Sequence, residues 1–309
     1  MNAAIKTENL CKSFKGTRAV DGLNLNVPEG SIYGFLGPNG AGKTTTIKML
    51  VGLSRPTRGN ISINGREVKF GSTGNRRDIG FLPDVPNFYD WMTPAEFLKF
   101  SGELFSIEKK ELENRIESLM ALVGLEGIRK KIGGFSRGMK QRLGIAQALI
   151  NKPRVVFMDE PVSALDPVGR KEIMDILVKL SGKVTVFFSS HILSDVERIC
   201  DRVVILDKGK MVLEDSMEEL RNKFSKRIIA VETEKGKPKL RLLGELEKTD
   251  WAENVRNLDN GELQMHVVDI RRAQHEIPAV FAAAGAPLKR MNVLEPTLED
   301  IFMKVVTSR

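Results

Sequence analysis

The chain has 309 residues, of which 41% are hydrophobic and 28% charged, and this length and composition predict a globular protein with two domains. No apolar run reaches the length of a bilayer span, the N-terminus lacks a signal-peptide core, and the two cysteines show no metal-ligand spacing, so we expect a cytoplasmic protein. The net charge of +8 fits a solvated basic surface or contact with anionic lipid headgroups. Because no basic run is interleaved with aromatic residues, no nucleic-acid partner is expected.

The first predicted elements are strands. Residues 5–27 alternate and turn as an antiparallel sheet does, and residues 60–68 read as a strand, an Asn-Gly turn and a return strand. Phe14 lies in the first turn. An aromatic ring upstream of a phosphate loop can stack on an adenine base, or it can belong to the core. The sequence leaves both roles for Phe14 open.

A glycine-rich segment between a predicted strand (31–36) and a predicted helix (45–51) matches the phosphate-loop pattern G-x-x-x-x-G-K-[ST]. Glycines let successive backbone N–H groups face an anion, and the helix N-terminus adds positive charge. Lys43 is expected to neutralise the outer phosphates, and the Thr44 hydroxyl is expected to bind Mg²⁺. The residues assigned to nucleotide binding here are Gly37, Asn39, Gly40, Ala41, Gly42, Lys43, Thr44 and Thr45.

Residues 84–150 are predicted to be helical, which suggests a helical subdomain inserted into a nucleotide-binding core. Thr93-Pro94-Ala95-Glu96 forms a capping-box pattern at the start of one helix. Ser136-Arg137-Gly138 begins another. Its N–H groups could bind a γ-phosphate from a second subunit, or Ser136 could simply cap its own helix.

Two later strands end in residues suited to hydrolysis. The apolar strand at 155–158 ends in Asp159 and Glu160. Asp159 is placed to hold Mg²⁺ through water and Glu160 to act as general base, although an acidic pair can also cap a neighbouring helix. His191 follows the strand at 183–188 and could reach the γ-phosphate. Strands that alternate with helices, including one at 167–180, predict a mostly parallel sheet.

The composition shifts near residues 221–226, and the remainder is predicted to be a small α+β domain. Its expected elements are a strand at 227–231, a charged loop at 234–238, a hairpin turning at Asn260-Gly261, a helix containing 273–281, a strand at 288–293 and a closing helix from Thr297. No catalytic pattern is evident in this part of the sequence.

The ordered motifs resemble those of the ATP-binding subunit of an ABC transporter over roughly residues 3–222. Walker A is 37–44, the signature is 135–139, Walker B is 155–160, the D-loop is 163–166 and the switch histidine is His191. The ending at 294–302 resembles the tail of drug-exporter-type bacterial ATPases. The implied fold is an α/β P-loop NTPase (RecA-like) core with an N-terminal antiparallel β subdomain and a helical subdomain at 84–150. The implied domains are an ATP-binding domain at 1–223 and an accessory α+β domain at 224–309.

The resemblance also implies a mechanism. Two ATP molecules with Mg²⁺ lie in a head-to-tail homodimer, between Walker A of one subunit and Ser136 and Gly138 of the other, with Asp166 of the D-loop also contributing. Hydrolysis through Glu160 and His191 opens the dimer. This drives export through a separate membrane permease that docks near residues 84–105, on the inner face of the cell membrane. Phe14 takes the place of the adenine-stacking aromatic residue.

Two departures from the family pattern affect the site. Arg137 and Met139 replace a Gly and the Gln of the usual L-S-G-G-Q signature, and Asp84 stands where the Q-loop Gln is usual. A carboxylate at 84 can still bind Mg²⁺ or water, so Asp84 joins Thr44 and Asp159 as a candidate metal ligand. The alternatives are a soluble ABC ATPase acting on ribosomes or DNA, and an ATP-binding module without turnover.

Overall fold

The computed structural model describes residues 3–72, 74, 77–224, 227–234, 236–258, 262–294 and 297–307. The chain divides into two compact units, Met1–Met217 with Phe302–Arg309, and Glu218–Ile301. The boundary expected between residues 223 and 224, which divides the ATP-binding domain from the accessory domain, stays a prediction. Within the described part of the chain, each helix is too short or too polar to cross a bilayer.

An antiparallel sheet lies at the N-terminal end of the first unit. Its strand order is β2-β1-β5-β6, and β3 also pairs with β1; the strands are β1 (Ala3–Phe14), β2 (Thr17–Leu23), β3 (Asn26–Pro28), β5 (Arg58–Ile63) and β6 (Arg66–Glu67). The predicted Asn-Gly turn joins β5 to β6, with φ values of 48° at Asn64 and 74° at Gly65. Positive φ at both positions is what a tight I′ hairpin turn requires, so this prediction is confirmed.

A six-stranded sheet forms the centre of the first unit. Its order is β11-β10-β4-β9-β8-β7, with bounds β4 (Ile32–Leu36), β7 (Ile79–Leu82), β8 (Val155–Met158), β9 (Thr185–Ser190), β10 (Arg202–Asp207) and β11 (Lys210–Ser216). All pairs are parallel except β10 with β11. Every residue of β4, β8 and β9 is buried, as expected for strands covered on both faces. The mostly parallel sheet is therefore confirmed, and the carboxyl ends of β4, β9 and β8 lie at the same edge.

Helices follow the strands in the order that the sequence indicates. They are α1 (Lys43–Leu50), α2 (Pro94–Glu103), α3 (Lys109–Leu122), α4 (Arg137–Leu149), α5 (Pro167–Leu180), α6 (Leu193–Ile199) and α7 (Met217–Phe224). The capping box at α2 is confirmed, since the Glu96 N–H donates to Thr93 Oγ1 at 3.3 Å and the Thr93 N–H donates to the Glu96 carboxylate at 2.8 Å. Helices α2, α3 and α4 make up the helical block expected between 84 and 150.

The second unit contains a four-stranded antiparallel sheet of order β13-β14-β12-β15 in a β-α-β-β-α-β arrangement. Its elements are β12 (Ile228–Glu232), α8 (Lys237–Leu246), β13 (Ala252–Asn257), β14 (Glu262–Val267), α9 (Ile270–Ala283) and β15 (Arg290–Leu294); α10 (Leu298–Thr307) follows. The charged loop expected at 234–238 is wrong in part, because α8 begins at Lys237. A proline in the first turn of a helix loses no hydrogen bond, so Pro238 does not prevent it. The turn expected at Asn260-Gly261, and residues 295–296 of the exporter-like tail, lie outside the described residues.

Candidate active site

The carboxyl edge of the parallel sheet carries a cavity of about 380 Å³. Part of its wall is the phosphate loop between β4 and α1, and the rest comes from Ala19 within β2 and from segments that follow β7, β8 and β9. The lining residues are Ala19, Pro38, Asn39, Gly40, Gly42, Lys43, Thr44, Thr45, Asp84, Glu160, Ser163 and His191. The structure thus brings the predicted phosphate-binding, acidic and histidine residues together in one place.

Glycine is required in the loop for two physical reasons. Gly40 and Gly42 have φ values of 81° and 103°, which side-chain-bearing residues rarely adopt. A Cβ atom on Gly42 would also lie 2.3 Å from the Ala19 carbonyl oxygen. This conformation starts α1 at Lys43, two residues earlier than predicted, so the unpaired N–H groups of its first turn belong to the phosphate loop.

Lys43 is buried, with only 6% of its side chain exposed, and its ammonium has three acceptors within the chain. Nζ donates to the carbonyl oxygens of Gly37 at 2.7 Å and Pro38 at 3.3 Å, and it lies 3.2 Å from Glu160 Oε1. A buried cation needs such partners, because desolvation without them would be costly. The ammonium is therefore held at the edge of the cavity, where an anionic ligand could replace one of its partners.

Thr44 and the acidic pair meet beside this lysine. Thr44 Oγ1 donates to Asp159 Oδ1 at 3.1 Å, and Asp159 is 3% exposed. Magnesium is usually bound by one or two protein oxygens together with substrate phosphates. In the described part of the chain, no cluster of three or more His, Cys, Asp or Glu residues could hold a metal alone. A hydroxyl and a carboxylate beside a phosphate loop nevertheless fit Mg²⁺ that is shared with a nucleotide.

Glu160 lies between two nitrogen-bearing side chains. Its Oε1 faces Lys43, and its Oε2 lies 2.8 Å from His191 Nδ1. Its backbone φ of 48° is uncommon for a residue other than glycine and costs on the order of 1–3 kcal/mol. Surrounding contacts must therefore hold this residue in place. His191 is 45% exposed, so one side of its ring faces solvent at the cavity.

Ser189 is a polar residue of this site that the sequence analysis missed. Its side chain is fully buried, and Oγ donates to Asp159 Oδ1 at 2.7 Å while accepting from the Glu160 N–H at 2.9 Å. The neighbouring parallel strands are in register at Met158 and Phe188, which places Asp159 beside Ser189. A hydroxyl residue two positions before His191, on the strand next to the acidic pair, was the signal that could have revealed it.

Asp84 lines the same cavity as Thr44 and Glu160. Burial raises the pKa of its carboxyl group, the Arg137 guanidinium opposes that rise, and the nearby Asp159 and Glu160 carboxylates add to it. The closest cation is Arg137, whose Nη2 lies 3.7 Å from Oδ1. Among the described residues, this oxygen has no hydrogen-bond partner and is shielded from solvent, although 47% of the side chain is exposed. Two of the three residues that depart from the family pattern, Asp84 and Arg137, therefore face each other.

Six predicted nucleotide-binding residues do not line this cavity: Gly37 and Ala41 of the phosphate loop itself, and Phe14, Ser136, Gly138 and Asp166. Phe14 is 51% exposed at the end of β1, with Lys12 Nζ 4.8 Å from its ring centre, so the core alternative is wrong. Ser136 Oγ accepts from the Met139 N–H at 3.2 Å, which confirms that it caps α4. Asp166 caps α5 through the Gly169 N–H at 2.9 Å. Ser136, Gly138 and Asp166 therefore lie at helix starts outside the cavity of their own chain.

Comparison with known proteins identifies the family. The ABC transporter sequence family matches residues 20–163, and the family described as the C-terminal domain of DrrA1-3-like ATP-binding proteins matches 216–306. The chain is 39% identical over 303 residues to YxlF, an uncharacterized ABC transporter ATP-binding protein of Bacillus subtilis, covering 98% of this chain and 99% of that protein. The chain belongs to the ABC transporter ATP-binding family.

Other relatives agree with this assignment. The bacitracin transport ATP-binding protein BcrA of Bacillus licheniformis is 36% identical over 319 residues, covering 99% of this chain and 98% of that protein. A solved dimeric ATP-binding cassette in a post-hydrolysis state, bound to ADP and Pi, is 28% identical with a TM-score of 0.62, covering 69% of this chain and 98% of its own. The expected P-loop NTPase fold is confirmed.

The family also establishes the general activity. An ABC transporter ATP-binding protein binds nucleotide, hydrolyses ATP and powers transport together with membrane components. The expected ATPase subunit is confirmed, and the comparisons support neither of the two alternatives, a ribosome- or DNA-directed ATPase and a module without turnover.

Proposed function

We propose that this chain is the ATPase subunit of an exporter, working as a homodimer on the cytoplasmic face of the cell membrane with a separate permease. Residues 1–223 are the ATP-binding domain and 224–309 an accessory domain. The observation that carries the proposal is the arrangement of Lys43, Glu160 and His191 in one cavity at the phosphate loop.

Nucleotide binding uses the loop and the lysine. The backbone N–H groups from Gly40 to Thr45 face the phosphates, and Lys43 exchanges its internal acceptors for phosphate oxygens. Thr44 and Asp159 would hold Mg²⁺, with Asp84 as a further oxygen donor at the cavity. When bound, Mg²⁺ neutralises charge that develops on the phosphate oxygens.

Hydrolysis uses Glu160 as general base. A water molecule attacks the γ-phosphorus while its proton passes to a Glu160 carboxylate oxygen, and the bond from the γ-phosphorus to the bridging oxygen breaks to release ADP and phosphate. His191, 2.8 Å from Glu160 Oε2, holds that carboxylate and faces the γ-phosphate. General-base assistance of this kind contributes about 10²–10⁴-fold in rate.

The homodimer completes the site. Ser136 and Gly138 at the start of α4, and Asp166 at the start of α5, lie outside the cavity of their own chain, so a second copy is needed to present them to a bound ATP. Phe14, exposed at the end of β1, stacks on the adenine. The dimeric relative bound to ADP and Pi supports this assembly.

The permease docks on an apolar groove of about 590 Å³ near residues 84–105. Its lining includes Tyr89, Phe100 and Leu104, which are 48%, 37% and 71% exposed. An exposed apolar patch of this kind marks an interaction surface. The DrrA-like C-terminal match and the exporter-like ending at 294–302 support export, as does similarity to a bacitracin transport protein.

Two measurements test the proposal. Purified protein should release phosphate from ATP in the presence of Mg²⁺, and in its native host it should sediment with membranes. Leu104→Glu should abolish membrane association, whereas Val178→Glu, at a solvent-facing position on α5 outside the groove (51% exposed), should not. Equal membrane association of both variants would remove the groove from the proposal, and lack of hydrolysis by the wild type would refute the ATPase assignment.

A further inference from the structure

Ser189 uses both hydrogen-bonding functions of its hydroxyl. The single O–H donates to Asp159 Oδ1 at 2.7 Å, and an oxygen lone pair accepts from the Glu160 N–H at 2.9 Å. A hydroxyl has one donor and two acceptor sites, so these two bonds fix its orientation. The side chain is fully buried and does not line the cavity, so it cannot touch a bound nucleotide.

The first of these bonds determines where the Asp159 carboxylate points. Asp159 Oδ1 accepts from two hydroxyls, those of Ser189 on β9 and Thr44 on α1. Hydrogen bonds to a charged acceptor are shorter and roughly twice as strong as neutral ones. The carboxylate is therefore held between the phosphate-loop helix and the neighbouring strand.

The second bond supports the strained backbone of Glu160. A positive φ at a glutamate persists only when surrounding contacts favour it. Loss of the Ser189 hydroxyl would leave the Glu160 N–H without this acceptor, so the positive-φ conformation of Glu160 would lose one of the contacts that stabilise it. The position of the Glu160 side chain between Lys43 and His191 depends on the same backbone.

We propose that Ser189 is a positioning residue for ATP hydrolysis, because one hydroxyl sets both the direction of the Asp159 carboxylate and the backbone of Glu160. The inference rests on the proposed roles of Asp159 in holding Mg²⁺ and of Glu160 as the base. Removing a partner that orients a metal ligand typically lowers metal affinity or activity about 10–100-fold.

The adjacent Ser190 provides a matched control. It is also fully buried on β9, but its hydroxyl bonds locally: Oγ accepts from the Ile192 N–H at 3.0 Å and lies 3.5 Å from the Ile192 carbonyl oxygen. Ser190→Ala therefore removes an equally buried hydroxyl that bonds within its own loop. Ser189→Thr keeps the hydroxyl and serves as the rescue variant.

The experiment compares these variants in turnover and in binding. Ser189→Ala should lower kcat about 10–100-fold. Affinity for a fluorescent ATP analogue should fall about tenfold or more with Mg²⁺ present, and should change little in EDTA, because only the metal-dependent part of binding uses Asp159. Ser190→Ala should match the wild type in both assays, and Ser189→Thr should recover kcat and the Mg²⁺ dependence.

Several outcomes would overturn the inference. Equal kcat and equal Mg²⁺ dependence of binding for Ser189→Ala and Ser190→Ala would contradict it. A loss of ATP-analogue affinity in Ser189→Ala that is as large in EDTA as with Mg²⁺ would also contradict it. Thermal unfolding of each variant separates a general loss of stability from a positioning effect. If Ser189→Ala does not fold, Ser189→Cys keeps the volume with weaker hydrogen bonding, and it must then show the same kcat and Mg²⁺ defects. Turnover by the wild type is measured beside them, so failure of the proposed function is distinguished from failure of this inference.

Discussion

Glu160→Gln separates the charge of the base from its shape. The amide has nearly the same size as the carboxylate, and an amide group can still reach Lys43 Nζ at 3.2 Å and His191 Nδ1 at 2.8 Å. The variant therefore keeps the cavity wall and the backbone at residue 160, but it has no oxygen able to take a proton from water at neutral pH. Any change in rate reports on the chemical role of the carboxylate.

The expected loss follows from that role. General-base assistance is worth about 10²–10⁴ in rate, which corresponds to about 2.7–5.4 kcal/mol of transition-state stabilisation at 1.36 kcal/mol per tenfold. ATP binding should be kept or strengthened, because one negative charge is removed from beside the phosphates. A long-lived ATP-bound dimer should accumulate, since the step that separates the two subunits is slowed.

The assay measures phosphate release, equilibrium ATP binding and molar mass by light scattering with ATP and Mg²⁺. The exposed Glu126, outside the cavity, supplies the control variant Glu126→Gln, which should behave as the wild type. Wild-type turnover in Glu160→Gln would show that Glu160 is not the base. A slowed variant that never dimerises with ATP would contradict the sandwich arrangement while leaving the role of the base intact.

Two further variants test the cation and the unusual acid of the site. Lys43→Ala should abolish tight ATP binding, and an unchanged affinity in a nucleotide titration would contradict the phosphate-binding role. Burial raises the pKa of the Asp84 carboxyl group, so the folded state binds this proton more tightly than the unfolded state does. Protonated Asp84 therefore favours folding below the ordinary pKa of 3.8, and this contribution to the free energy of unfolding is lost as pH rises through the folded-state pKa. Asp84→Asn should therefore raise Tm relative to the wild type at pH 7, by an amount that shrinks towards pH 3, and a Tm difference that does not vary with pH would refute the argument.

Much of the site could be predicted because the local backbone conformation and burial restrict which residue types can stand there. Gly42 must be glycine, since its φ of 103° and the nearby Ala19 carbonyl oxygen exclude a Cβ atom. Strand β8 appears in the sequence as a continuous apolar run, and β9 contains a shorter one at residues 186–188, because both faces of the sheet are covered. The polar residues that follow these runs mark the edge of the sheet where the site lies.

What could not be predicted depends on neighbours that are distant in the sequence. The role of Ser189 follows from the register between β8 and β9, which places it beside Asp159, and a strand pattern does not specify its register with another strand. The contact of Asp84 with Arg137 joins a loop after β7 to the start of α4. Helix α8 was missed because its charged start resembles a loop, although the buried Leu242 and Leu246, four residues apart, are the helical signal within it.

The ion pair of Lys43 with Glu160 connects these arguments. The buried ammonium is satisfied by two carbonyl oxygens and this carboxylate, and in the proposed function ATP binding exchanges these acceptors for phosphate oxygens. Removing the lysine leaves Glu160 as an anion that repels phosphates, whereas removing the glutamate charge leaves a cation with fewer competitors for them. Lys43→Ala should therefore lower ATP affinity, whereas Glu160→Gln should raise it. An ion pair that only stabilised the fold would give losses in both variants, so the opposite signs distinguish a phosphate-exchange site from a structural contact.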